Sequence, residues 1–191
     1  MNEVRTITPP ATELLTTAQA KAFLKIDHTD EDELINLLIT TTREMIERHC
    51  GISIGEQTKE WVTDFSQAGP PKLGKYLPRR NCYEVLSSGE AIPYPPFIEL
   101  VSAERWNETA YETQTETDDF TVLEGYFDPL QSGTWKITYT AGYDADTLPA
   151  GLKLIWRQYI TYAYTHRQDE DVPFPGFIKY ALQPYIKRSL I

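Results

Sequence analysis

Residues Asp30 to Gly51 read DEDELINLLITTTREMIERHCG, and this stretch decides the fold. Asp30 can cap a helix. Glu31, Asp32 and Glu33 then place negative charge where the unpaired amides of a first turn favour it. Leu34, Leu38, Thr41 and Met45 recur at helical spacing, and Ile35, Ile39, Thr42 and Ile46 form a second stripe beside them. Two adjacent stripes make an apolar face wider than a single contact requires. Arg43 with Glu47 and Glu44 with Arg48 are i,i+4 pairs expected on the remaining surface. Gly51 is a left-handed stop, so the helix should run about twenty residues.

A shorter helix is expected before it, from Thr17 to Ile26, with Thr16 and Gln19 forming a capping box. Asp27-His28-Thr29 is the turn between the two. The first ten residues, rich in Thr and Pro, read as an extended arm. After Gly51 the period changes from helical to alternating. Trp61 to Phe65, Phe97 to Trp106, Phe120 to Leu123 and Thr134 to Thr140 are strand candidates. In the last, Trp135, Ile137 and Tyr139 share one face, with Lys136 and Thr138 on the other. The Pro- and Gly-punctuated stretch from Ser66 to Pro96 implies turns and an extended excursion. Asn107 to Asp118 reads as an acidic hairpin tip carrying Glu108, Glu112, Glu116 and Asp118. Leu148-Pro149 opens a third helix bearing Leu152, Ile155, Trp156, Tyr159 and Ala163, with His166 and Arg167 at its carbonyl end. A last helix is expected near Pro175 to Gln183, interrupted by Pro184.

The pattern is α+β: a small helical bundle built from N- and C-terminal helices, with an inserted antiparallel β region. One domain is expected over 1–191, its helical part at 14–51 and 147–191 and its β part at 58–143. The chain of 191 residues is 41% hydrophobic and 12% aromatic, enough for a real core and far from disordered composition. No apolar run approaches the ~20 residues that span a bilayer, and no secretion signal is visible, so a protein made in the cytoplasm is expected. Cys50 and Cys82 are too few for a disulfide scaffold and match no zinc spacing.

The formal charge is −10, from 18 basic and 28 acidic side chains. Between Val101 and Ala150 ten carboxylates face only Arg105 and Lys136, whereas Gly151 to Ile191 holds six basic residues against three acidic ones. The middle should repel nucleic acid, and the basic tail suits an acidic partner surface.

Candidate chemistry is sparse. His49 and Cys50 are adjacent and so do not face each other on a helix, and His28 and His166 lie at a turn and a helix end. No phosphate loop, dinucleotide fingerprint or hydrolase elbow occurs. Asp27, Asp30 and Asp32 lack the glycine and closing glutamate of a calcium loop, and read instead as a helix start. No enzyme activity, metal or cofactor is expected.

Four segments carry a family likeness. They are Ala20-Lys21-Ala22-Phe23-Leu24-Lys25-Ile26-Asp27 with Asp30-Glu31-Asp32-Glu33-Leu34-Ile35 and the helix ending near Gly51; Asp119-Phe120-Thr121-Val122; Trp135 to Tyr143 followed by Leu148-Pro149 and the aromatic helix; and Ala181-Leu182-Gln183-Pro184-Tyr185-Ile186-Lys187. In order and spacing they resemble the head–tail connector, or adaptor, proteins of long-tailed double-stranded DNA bacteriophages. The stretch from Ser66 to Pro96 is longer and richer in Pro and Gly than that family usually shows. The resemblance implies a structural ring in the virion neck, matching a dodecameric portal at the capsid vertex. Its partners would be further copies of itself, the portal protein and a stopper or tail-completion protein, with DNA passing through unbound and no membrane involved.

Beside that implication, Leu34, Leu38, Met45, Ile35, Ile39, Ile46, Trp156 and Tyr159 are the residues expected to pack the core or a subunit contact. Tyr185, Lys187, Arg188, Leu190 and Ile191 form an apolar and basic end suited to portal docking. Glu108, Glu112, Glu116 and Asp118 would face the channel, where like charge lets DNA slide. The alternative is a monomeric binding module whose β insert, around Tyr94 to Phe97, grips a peptide or other ligand.

Overall fold

A computed structural model describes residues 2–66, 72–77, 82–86, 90–123, 125–167 and 174–187, with 72–77 and 82–86 described as backbone. The chain divides into two compact units, Met1–Pro9 with Gln57–Ala141, and Pro10–Glu56 with Gly142–Ile191. The fold is α+β.

The first unit is built on a five-stranded antiparallel sheet of order β1-β2-β10-β6-β7. Its strands are β1 (Asn2–Thr8), β2 (Gln57–Phe65), β6 (Phe97–Trp106), β7 (Tyr111–Thr113) and β10 (Gly133–Ala141). A hairpin of β3 (Lys72–Leu77) and β4 (Cys82–Leu86) occupies the punctuated stretch. A three-stranded sheet, β5-β9-β8, comprises β5 (Glu90–Ala91), β8 (Phe120–Leu123) and β9 (Tyr126–Pro129).

The expected arm is therefore a strand. Asn2 to Thr6 pair in register with Thr63 to Lys59 of β2. The alternation expected in β10 holds, since Trp135, Ile137 and Tyr139 are fully buried. They meet Trp61 of β2 and Phe120 and Phe127 of the smaller sheet; Phe127 and Trp135 lie edge to face at 5.3 Å. Burial of such rings stabilises by about 1.5–3 kcal/mol each, provided their polar tips find partners. They do. Trp61 Nε1 donates to Asn2 Oδ1 at 2.7 Å, Trp135 Nε1 to the Gln131 carbonyl at 3.1 Å, and Tyr139 Oη to the Pro93 carbonyl at 2.8 Å.

Among its described residues the second unit holds four helices: α1 (Thr17–Leu24), α2 (Asp32–Cys50), α3 (Ala150–Thr165) and α4 (Gly176–Leu182), the last followed by a 3-10 turn at Gln183–Tyr185. The capping box of α1 is present: Thr16 accepts from the Gln19 amide, and Gln19 reaches back to the Thr16 amide. Helix α2 begins at Asp32 and not after Asp30. Its cap position is Glu31, whose side chain makes no capping bond, while Asp32 Oδ1 accepts from Lys21 Nζ at 2.6 Å. Gly51 ends α2 at φ 65°, as expected. Pro149 stands at the cap of α3, one position ahead of the expected first turn, and Pro184 converts the end of α4 to the tighter 3-10 winding.

The glycine of the Ala141-Gly142-Tyr143 motif has a definite cause. Its φ is 142°, and a Cβ there would lie 1.9 Å from the Gly55 carbonyl oxygen. That close passage lets Tyr143 N donate to the Ser53 carbonyl at 3.2 Å and Gly55 N to the Tyr143 carbonyl at 3.1 Å. A side chain would separate the two segments.

Candidate assembly surfaces

Helix α2 presents its two stripes unequally. Ile35, Ile39, Thr42 and Ile46 are buried, packed with Trp156, Tyr159 and Ile160 of α3. Thr42 fits this apolar face because its hydroxyl is used twice: it donates to the Leu38 carbonyl at 2.6 Å and accepts from Trp156 Nε1 at 3.0 Å. Tyr159 Oη sits 2.9 Å from Met45 Sδ, and burial pushes its phenol up to about 12. Of the first stripe, Leu38 and Met45 are half-buried against the same core, Leu34 is half-buried and Thr41 exposed. Leu37, which belongs to neither stripe, is 62% exposed.

The Arg43–Glu47 pair expected on the surface is inside. Arg43 and Glu47 side chains are 4% and 8% exposed and 2.7 Å apart. Arg43 Nε also contacts Glu13 at 3.0 Å, and Glu47 Oε1 accepts from the Ile54 amide. The cluster joins the segment before α1, the middle of α2 and the segment after it. Its charges are satisfied by one another and by backbone, which is the condition for burying them.

Cys50 is buried, and desolvation pushes its thiol up to about 11, so it stays protonated near neutrality. The His49 ring lies against Phe174, tilted, with centroids 4.9 Å apart. Glu31 does more than start α2. Tyr164 donates to its carboxylate and Arg167 pairs with it at 3.0 Å, which holds its carboxyl below the usual range. Asp144, accepting from the amide and hydroxyl of Thr147 and the amide of Asp146, closes the turn ahead of α3. Among the described residues, no three of the His, Cys, Asp and Glu side chains gather as metal ligands, and no helix is long and apolar enough to cross a membrane.

The chain end is tied down as far as Lys187, whose amide donates to the Cys50 carbonyl at 2.8 Å. Tyr185 is half-buried on α3, where a Cβ at Gly151 would come within 2.3 Å of its hydroxyl. Arg188, Leu190 and Ile191 lie outside the described residues.

The acidic residues Glu108, Glu112, Glu116 and Asp118 are all exposed, but they are spread over two turns and the short strand between them, not one tip. Glu108 sits in the β6–β7 turn, where Asn107 Oδ1 takes the amides of Thr109 and Ala110, and Glu112 follows on β7. Glu116 and Asp118 lie in the next turn, organised by Asp119 accepting from the Thr115 amide at 3.0 Å.

Exposed apolar side chains mark surfaces the sequence stripes did not single out. On α4, Phe177 and Tyr180 are 55% and 84% exposed, with Phe177 edge-on to Tyr162 at 6.0 Å. Leu154 of α3 is also exposed. Ile7, Ile98, Val101, Trp106, Leu123 and Tyr126 are the corresponding residues of the β unit. Grouped large apolar side chains in water are a mark of protein contact. The i,i+3 spacing of Phe177 and Tyr180 was the available signal on α4.

The fold thus defines a two-unit α+β protein whose buried polar groups serve structure and which leaves several large apolar side chains exposed. Comparison with known proteins gives that class a family. The model of the phage gp6-like head-tail connector proteins matches residues 15–124, more than half of the chain, and the chain belongs to this family. It is thus a structural connector of a phage-type virion. No curated protein sequence matches it.

Three similar structures come from gene transfer agent (GTA) particles. The neck of the empty GTA particle, computed with C6 symmetry, superposes with a TM-score of 0.70 at 12% identity, covering 99% of this chain and 97% of that one. The native GTA virion gives 0.69 at 12% identity, with coverages of 98% and 97%. The neck of the native particle, computed with C12 symmetry, gives 0.67 at 13%, with coverages of 99% and 97%. At such identities the likeness is one of fold.

Proposed function

We propose that copies of this chain form a ring in the virion neck, twelve to a ring, between the portal and the stopper or tail. DNA passes through the ring's channel, and the protein's work is assembly and symmetry matching, without catalysis. The observation that carries this reading is the set of large apolar side chains exposed on the helical unit, Leu37, Leu154, Phe177 and Tyr180, none of which belongs to its buried core. Membership of the connector family and likeness to neck structures computed with C6 and C12 symmetry support it.

Portal docking is assigned to the end of the chain. Tyr185 and Lys187 are held by α3 and the end of α2, so they would anchor the docking segment, with Arg188, Leu190 and Ile191 making the contact beyond them. Glu108, Glu112, Glu116 and Asp118 would face the channel, where exposed carboxylates give phosphate no counterion-release gain.

Electron microscopy of the purified chain, with and without portal particles, tests the proposal. Rings, alone or seated on portal, are expected. A chain that stays monomeric at high concentration and fails to bind portal contradicts it.

A further inference from the structure

Among the described residues the five-stranded sheet carries three bulges, and each coincides with an exposed aliphatic residue. Between β1 and β2 the register passes from Thr6↔Lys59 to Thr8↔Thr58 and skips Ile7. Between β10 and β6 it passes from Thr138↔Ser102 to Tyr139↔Leu100, skipping Val101, and from Thr140↔Glu99 to Ala141↔Phe97, skipping Ile98. Ile7, Ile98 and Val101 are 48%, 47% and 58% exposed. A bulge frees one residue from the pleat and re-aims its side chain. Three aliphatic side chains sent into water this way are a costly arrangement for a chain that acts alone.

Their placement is informative. β1 is one edge of the sheet. Near the other edge, β7 pairs only with Glu104 to Trp106 of β6, so among the described residues no strand covers the outer side of β6 from Phe97 to Ser102. The aliphatic residues thus stand at opposite ends of one sheet. The two ends also differ in charge on the same face. Arg5 registers with Glu60, Glu60 with Thr138 and Thr138 with Ser102, while Glu99 registers with Thr140, so Arg5 and Glu99 both lie on the polar face. The Arg5 side chain is 67% exposed while pairing with Glu60 at 2.7 Å, and Glu99 is exposed, with Thr140 Oγ1 3.5 Å from its carboxylate.

A bulged edge resists simple extension of the hydrogen-bond ladder. Contact between such edges is made by side chains. We infer that the occupant of each edge is the opposite edge of a second copy: Ile7 of one subunit packs against Ile98 and Val101 of the next, with Arg5 facing Glu99. A contact between two different patches of the same chain is heterologous, and it closes into a ring when the rotation per copy allows. The contact deepens the ring reading and rests on it, supplying a second set of residues besides the helical surface.

The test uses full-length chains with Cys82→Ser. Ile7→Cys and Val101→Cys chains, prepared separately, are mixed under assembly conditions and treated with a short bis-maleimide. A cross-linked pair is expected only in the mixture, and a ladder of higher species is expected from the chain carrying both substitutions. Both sites are exposed, so an unchanged melting temperature confirms that folding is intact. Glu99→Arg should raise the concentration for half-assembly roughly tenfold, and adding Arg5→Glu should restore it to within about threefold of the starting chain. Rings without the mixed cross-link, and indifferent to Glu99→Arg, overturn this contact and leave the ring reading standing. Absence of rings from the unsubstituted chain, even with portal, overturns both.

Discussion

Gly142→Ala is the substitution whose effect the structure fixes most closely. A Cβ at this position falls 1.9 Å from the Gly55 carbonyl oxygen and 2.5 Å from its carbon, both backbone atoms that no rotamer change can move aside. To restore van der Waals contact, the 53–55 and 141–143 segments must separate by more than an ångström. That displacement breaks the bonds from Tyr143 N to Ser53 and from Gly55 N to Tyr143. Each is worth about 0.5–1.5 kcal/mol, and an alanine held at φ 142° adds strain of order 1–3 kcal/mol. The expected loss is about 4 kcal/mol. For a chain of this size it lowers the melting temperature by roughly 8–16 °C. Gly176→Ala is the matched control, because nothing lies within 4 Å of a Cβ there. Thermal unfolding followed by circular dichroism reads both variants. A Gly142→Ala protein that melts within about 2 °C of the parent, like the Gly176→Ala control, refutes the reasoning about this crossing.

Three further outcomes are expected. Arg43→Met should destabilise by about 3–5 kcal/mol in denaturant titration, because it strands the Glu47 carboxylate inside, whereas Arg48→Met on the exposed side of α2 should change stability by less than about 0.5 kcal/mol. The Cys50 thiol, pushed up to about 11 by burial, should resist iodoacetamide at pH 8 in the folded chain and react after unfolding, as read by site-resolved mass spectrometry. Bonds from the Thr147 amide and hydroxyl, then from the Asp146 amide, hold the Asp144 carboxyl below its ordinary value. Its contribution to stability is therefore present above the unfolded-state value and lost as pH falls through the lowered folded value. Asp144→Asn should flatten that acid limb of a melting-temperature-against-pH profile.

The sequence made some of this architecture legible and hid the rest for physical reasons. Helix α2 could be read because cap, dipole, stripe and stop agree along one local segment. The same holds for Thr16 and Gln19 of α1. β1 could not: Asn2 to Thr8 has no apolar alternation, every residue but Val4 is exposed, and its partner strand lies more than fifty residues away. β6 was bounded correctly, yet its core-facing residues, Phe97, Leu100 and Ala103, recur every three positions because two bulges intervene. A reading based on period two cannot anticipate that. The Arg43–Glu47 pair has the spacing of a surface pair, and only tertiary packing with Glu13 and Ile54 turns it inward. Among candidate contact residues, Ile35, Ile39 and Ile46 lie in the core, whereas Leu37, Leu154, Phe177 and Tyr180, which the stripes did not include, are among the exposed apolar positions of the helical unit. One-dimensional stripes give the width of an apolar face, not which part of it the protein's own core consumes.

The central claim is that this apolar exterior recruits further copies of the chain. Native mass measurement of portal-bound assemblies, comparing the parent with a Phe177→Glu/Tyr180→Glu variant, tests it most directly. The account predicts rings of twelve copies from the parent and none from the variant, with both chains melting at the same temperature. Rings of equal size and yield from both would contradict it.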